Sequence, residues 1–150
     1  MRRLRLKTAR KQWWRKPLVQ FGRHALPAEL VVLAVELRSA ESGVWLNSRG
    51  LASGVADLIP DKSTASGFRT QRIALPEFVA STLRLIYRAS GLRRGCPDLV
   101  IWSEKAVRLV EVKCPHWDKP SPEQKRFMRF AAKTGVRTRV VEWEFQNGAS

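Results

Sequence analysis

Asp98, Glu111 and Lys113 are spaced so that a strand hairpin would gather two carboxylates and one ammonium on a single face. Asp98 opens the apolar run Leu99-Val100-Ile101-Trp102, and Val107 to Lys113 forms a second run. Between them, Ser103-Glu104-Lys105-Ala106 is short and polar enough to turn. With Glu104-Lys105 as a two-residue loop, Ser103 pairs with Ala106, and counting outward sets Asp98 opposite Glu111. Directly paired residues hold their Cβ atoms roughly 4.5–5.5 Å apart. Two carboxylates at that separation repel unless a proton or a cation intervenes, so the pattern invites a divalent metal. Strand side chains alternate, so Lys113, two residues on, shares the face of Glu111. Its ammonium could orient a water or stabilise negative charge growing on a phosphate.

The spacing Pro97-Asp98, then Glu111-Val112-Lys113, is the PD-(D/E)xK pattern of metal-dependent nucleases. Further blocks follow it: Ser121-Pro122-Glu123-Gln124 ahead of a helical run, then Gly135 and the strand-like Val136-Arg137-Thr138-Arg139-Val140-Val141. Residues 91–145 resemble the VRR-NUC domain, the virus-type replication-repair nuclease module. That family's order is G-x-P-D-L, E-V-K-G-P, S-x-x-Q, then a closing glycine and strand. Cys114 departs from it by standing where the family has a glycine. The resemblance implies a restriction-endonuclease-like α/β core, a central mixed β-sheet flanked by helices. It implies Mg²⁺ or Mn²⁺ held by Asp98, Glu111 and the main-chain carbonyl of Val112, with Lys113 and Gln124 in catalytic positions. It also implies an acidic residue on the first helix at the metal site, for which Glu29 and Glu36 are the candidates. Glu77 is a more remote one.

Composition agrees with an anionic partner. The chain of 150 residues carries a net charge of +15, which points to nucleic acid before membrane. No run of about 18 apolar residues is present, so no transmembrane helix is expected. The basic start lacks an apolar h-region, so no signal peptide is expected. Two cysteines make no disulfide framework, and a reducing intracellular setting, the cytoplasm or nucleoid or a virus-infected host cell, is the expectation.

Residues 1–26 form a block of their own. Arg2, Arg3, Arg5, Lys7, Arg10, Lys11, Arg15, Lys16 and Arg23 carry nine positive charges, and no acid precedes Glu29. Trp13-Trp14 lies within it. One reading is a phosphate-neutralising arm whose indoles pack on a base, a sugar or the domain. The other is a solubilising or targeting tail. The nuclease-like domain is expected over 27–150.

The positioning elements follow from periodicity and punctuation. Pro27-Ala28-Glu29 opens a helix over 27–39 whose apolar residues cover nearly its whole circumference, so it should be largely buried. Residues 39–71 carry turn signals, one short strand near Val44-Trp45-Leu46 and an exposed loop over Asp61–Gly67. A helix is expected over 75–90, stopped by Gly91, with Arg84, Arg88, Arg93 and Arg94 facing the approach to Asp98. Ser121-Pro122-Glu123-Gln124 has the form of a capping box for a helix over 122–133. Gln124 is thus a capping partner, a site residue or both. Lys119, Lys125, Arg126 and Arg129 lie where a cleaved strand could pass. A strand over 136–145 closes the sheet.

Cys96 and Cys114 should stand close at the open end of the hairpin as free thiols. With His116 they do not match a structural zinc pattern, and His116 is a weaker candidate for a catalytic base. These observations favour hydrolysis of DNA phosphodiesters. Small members of the family resemble junction-cutting enzymes that act as dimers, so branched DNA and a homodimer are the expected partners. A non-enzymatic nucleic-acid-binding protein with a nuclease fold is the competing class. A nuclease acting on flaps or RNA is a third.

Overall fold

A computed structural model describes residues 2–13, 16–46, 53–64, 67–115 and 118–146. Three strands come first, β1 (Arg2–Trp13), β2 (Lys16–Phe21) and β3 (His24–Pro27). The helix α1 (Ala28–Glu36) and the strands β4 (Ser42–Trp45), β5 (Ser53–Pro60) and β6 (Phe68–Ala74) follow. Then come α2 (Glu77–Ser90), the hairpin β7 (Leu99–Trp102) and β8 (Val107–Lys113), α3 (Pro122–Lys133) and β9 (Arg137–Phe145). The described strands form a nine-stranded sheet in the order β3-β2-β1-β9-β8-β7-β4-β5-β6. β9 runs parallel to both β8 and β1, and the other pairs are antiparallel. The chain therefore has the expected α/β core, a mixed sheet flanked by helices. Among the described residues no helix is long and apolar enough to cross a membrane.

Alternation along β8 divides the core. Val110 and Val112 enter one apolar cluster, with Leu30 to Leu33 of α1 and with Val141 and Trp143 of β9. Leu109 enters the other, with Val79, Leu83 and Ile86 of α2 and Phe127 and Ala131 of α3. Burying large aliphatic side chains stabilises such layers by roughly 1.5–3 kcal/mol each. α1 is buried over Leu30 to Leu33 as its all-round apolar character predicts, and only Ala34 and Val35 of its apolar residues are exposed. α3 has the predicted capping box, and Gly91, at φ 71°, ends α2.

Residues 1–26, read from sequence as a basic arm, are built into the sheet wherever they are described. Arg2 to Leu6 of β1 pair with Val141 to Phe145 of β9. Leu4 and Leu6 pack against the α1-side core, while Arg3 and Arg5 pair with Glu142 and Glu144 at 2.7 and 3.0 Å. A strand's period of two places the cations on one face and the leucines on the other. The β5–β6 hairpin is a second addition, since the sequence marked that stretch only by its turns.

Glu36 is tied to the sheet from three sides. Its carboxylate is 4% exposed and lies 2.9 Å from Arg2, 3.2 Å from Arg108 and 3.3 Å from Arg139. Arg108 also bridges to Glu41 and donates to the main-chain oxygen of Glu36. Removing a buried partner leaves uncompensated charge. Glu36→Ala is expected to lower unfolding stability by about 3–5 kcal/mol, measured by urea denaturation, whereas an exposed Glu104→Ala should stay within about 0.5 kcal/mol.

Candidate active site

The hairpin adopts the register counted from its turn. Leu99 pairs with Val110 and Trp102 with Val107, and the Ser103 N–H donates to the Ala106 carbonyl at 3.0 Å. One step further out, Asp98 stands opposite Glu111. Pro97 has no N–H to prolong the ladder, and the Val112 N–H instead donates to Asp98 Oδ2 at 3.0 Å. The Asp98 carbonyl accepts from the Leu46 N–H at 2.8 Å, so the main chain of Asp98 is held from the β4 side as well.

Glu111 has no exposed surface. Its Oε1 accepts from Gln124 Nε2 at 2.9 Å and lies 2.9 Å from Lys113 Nζ. Its Oε2 is buried with no hydrogen-bond partner among the described residues. A carboxylate oxygen left so costs on the order of 1–3 kcal/mol or more, and a cation, or a proton shared with the Asp98 carboxyl, is the natural complement to it. Burial, and then the charge of Glu111, hold the Asp98 carboxyl well above the usual carboxylate range, against the lowering effect of the Val112 N–H. The Glu29 carboxylate, in the first turn of α1, adds to that rise. Burial pulls the Lys113 ammonium down, but its contacts with Glu111 and then Asp118 outweigh this and raise its pKa. Lys113 is therefore a fixed positive charge, held between Glu111 and Asp118 Oδ1 at 3.2 Å.

Gln124 makes both contacts that the sequence left open. Its Oε1 accepts from the Ser121 N–H at 2.9 Å, completing the cap, while its Nε2 reaches Glu111. Gly95 lets α3 come this close. It has φ 118°, and a Cβ there would lie 2.8 Å from the Glu123 carbonyl oxygen. The capping box thus sets the α3 N-terminus, and the helix start sets the amide that orients Glu111.

The structure brings Asp98, Glu111, Lys113 and Gln124 together, with Glu29 near enough for its charge to act on Asp98. It does not bring Glu36, which belongs to the arginine network around Arg108, or Glu77, which is exposed on α2 and contacts Ser81 and Arg84. Among the described residues no three His, Cys, Asp or Glu side chains form a ready metal cluster. Two facing carboxylates, one with an unpartnered oxygen, beside the Val112 main chain nonetheless suit a hard cation that takes oxygen ligands.

Asp118 is the contact that sequence reasoning passed over. It lies five residues beyond Lys113, but only the folded loop shows that it accepts from the ammonium. Cys96 and Cys114 form no disulfide among the described residues and are half-buried and buried respectively, and burial followed by the Glu111 and Asp98 charges pushes the Cys96 thiol up.

Of the expected phosphate-binding cations, Arg2, Arg3 and Arg5 are ion-paired within the sheet, and Arg94 pairs with Glu123 at 3.4 Å. Arg126 donates to the Ser90 carbonyl at 2.8 Å and lies over the Phe130 ring. Arg93, Lys119 and Lys125 are exposed, and Lys119 lines a cavity together with Lys113. Arg10, Lys11, Trp13 and Lys16 fall on β1 and β2, where only the backbone is described, and Trp14, Arg15 and His116 lie outside the described residues.

The VRR-NUC domain family profile matches residues 62–143, more than half of the chain. The Fanconi-associated nuclease 1 homolog of Caenorhabditis briggsae is 34% identical over 79 residues, which are 51% of this chain and 9% of that protein. No solved structure matches.

The carboxylate pair has a measurable signature. An acid whose folded pKa is raised contributes stability that is complete below its unfolded pKa, about 3.9 for Asp. That stability is lost as pH rises through the folded value. With chelator present, the melting temperature should therefore contain a component that falls as pH rises above about 4. Asp98→Asn removes that component, and near neutral pH it should melt about 2–4 °C above the wild type for each kcal/mol of relieved repulsion. Scanning calorimetry across pH checks both.

Proposed function

Because the chain belongs to the VRR-NUC domain family, we propose that it is a divalent-metal-dependent DNA endonuclease that cuts branched DNA such as four-way junctions, acting as a homodimer inside the cell. The observation that carries the reading is Glu111: fully buried, facing Asp98, held by Gln124 and Lys113, and with one oxygen unpartnered. Asp98, Glu111 and the Val112 carbonyl would hold Mg²⁺ or Mn²⁺, with Glu29 at the margin of the site. When bound, such an ion supplies a Lewis acid that polarises the phosphate and makes water a nucleophile near neutral pH.

The remaining chemistry belongs to the side chains. Lys113 stays protonated between Glu111 and Asp118, so its ammonium can orient the attacking water or offset charge accumulating on the phosphate. Gln124 keeps the Glu111 carboxylate from rotating, and the Val112 N–H does the same for Asp98. Exposed Arg93, Lys119 and Lys125 lie where DNA phosphates would approach. The net charge of +15 favours such a polyanion. A four-way junction offers two symmetric cuts, which suits a two-fold dimer.

The test is cleavage of labelled four-way junction, flap, duplex and single-stranded DNA, and of RNA, with and without Mg²⁺. Metal-dependent cutting with the junction preferred is expected. Asp98→Ala, Glu111→Ala and Lys113→Ala should each lose at least about 10²–10³-fold in rate while retaining DNA binding, and wild-type-like cutting by any of them would overturn the mechanism. Glu29→Gln should slow cleavage and raise the Mg²⁺ concentration required. Glu36→Gln should act through stability and leave the metal requirement unchanged.

A further inference from the structure

Among the described residues β9 is paired on both sides from Val141 onward, and Arg137 to Val140 pair with β8. Two cavities meet around this stretch. One, of about 610 Å³, is bounded by Lys113, Asp118, Lys119 and Glu142. The other, of about 470 Å³, is bounded by Arg38, Arg108, Arg137 and Gly135 at the α3–β9 turn. Thr138 and Arg139 line both. The first lies beside the site ammonium; the second reaches a group of arginines at the other end of β8, where Arg108 and Arg139 turn to Glu36 on the α1 face, the opposite face of the sheet from Glu111 and Gln124.

That far end holds more positive charge than the fold consumes. Glu36 and Glu41 are its carboxylates, and Arg2, Arg38, Arg108, Arg137 and Arg139 stand around them, five guanidinium groups against two acids. Arg108 is occupied by both acids. Arg38 and Arg137 are exposed and have no ion pair among the described residues, although the Arg38 charge adds to that of Arg108 in lowering the Glu41 carboxyl. The carboxyl end of α3 brings about half a negative charge, which does not balance the excess.

We propose that Arg38, Arg137 and Arg139 hold a backbone phosphate of the DNA strand at a position separate from the scissile one. The assignment rests on the nuclease reading for its ligand. Arg137 is paired with Arg108, three residues before Glu111 and five before Lys113 on β8. At about 3.3 Å per strand residue the anchor stands roughly 10 Å along the strand from the carboxylates and roughly 17 Å from the ammonium, and the odd three-residue offset puts it on the opposite face, so the DNA strand would reach it around the side of β9. That is at least about three nucleotide steps at 3.4 Å of rise. Guanidinium groups match a phosphodiester bidentately, and the cavity is roomy enough for a phosphate and its sugars. The anchor would fix the direction in which the strand leaves the cut site.

The test is equilibrium binding of a duplex oligonucleotide, in chelator, by the wild type and by the double variant Arg38→Gln/Arg137→Gln over a series of salt concentrations. Both residues are exposed, so the variant should keep the wild-type melting temperature. Binding at low salt should weaken about tenfold, and the slope of log K against log salt should flatten by about 0.9 for one lost phosphate contact. Arg38→Lys/Arg137→Lys should restore most of the slope. An unchanged slope overturns the anchor. Inorganic pyrophosphate probes the other source of the same chemistry: if it stabilises the wild type but not the Gln variant while the DNA slope is unchanged, the cavity binds small phosphates and the strand anchor is rejected. Cleavage is scored separately. Cutting with an unchanged slope rejects the anchor alone, and an arginine-dependent slope without cutting supports the anchor and rejects the nuclease reading.

Discussion

Two carboxylates, Asp98 and Glu111, are pressed against each other between adjacent strands, and one of their oxygens has no partner among the described residues. Such an arrangement raises the energy of the metal-free fold, and much of the nearby structure acts to hold it in place. β7 and β8 fix the separation through their register. The Val112 amide compensates Asp98, and Lys113 and Gln124 together compensate a single oxygen of Glu111. What they leave uncompensated defines the binding property of the site. A cation placed there would relieve repulsion and satisfy the orphaned oxygen together, so the stability of the fold and its affinity for metal are coupled.

The second organising feature is electrostatic and lies elsewhere. Glu36 draws Arg2, Arg108 and Arg139 around one buried carboxylate, joining β1, α1, β8 and β9. This is how a chain with a charge of +15 can close its sheet: part of the excess is turned inward onto a single acid, and the rest remains on the surface. The two glutamates of α1 thereby separate in role. Glu29, near the helix start, acts on Asp98, while Glu36, in the last turn, belongs to the frame.

Local features were the legible ones. The hairpin register follows from a two-residue turn, the start of α3 from Ser121-Pro122-Glu123-Gln124, and the burial of α1 from its continuous apolar surface. The family resemblance was legible for the same reason, because its motifs are short and sit within those elements. What the sequence concealed was non-local or masked by charge. Arg3-Leu4-Arg5-Leu6 alternates as a strand should, yet nine cations in one segment read as an arm. Nothing in β1 names β9, some 140 residues later, as its parallel neighbour. The Glu36 network is assembled from positions 2, 36, 108 and 139, and no local pattern links those. Asp118 was invisible as a partner of Lys113 because a loop, with no fixed period, brings it back.

The proposed nuclease chemistry requires a cation site formed by the Asp98 carboxylate and the Glu111 oxygen that has no partner among the described residues. Anomalous diffraction from a crystal of the wild-type protein equilibrated with Mn²⁺ tests it most directly. The predicted result is a peak between Asp98 and Glu111 Oε2, within about 2.0–2.2 Å of an oxygen of each, and its absence in Asp98→Asn. A protein that binds Mn²⁺ only at other positions, with Glu111 Oε2 still buried and unpartnered, would contradict the account.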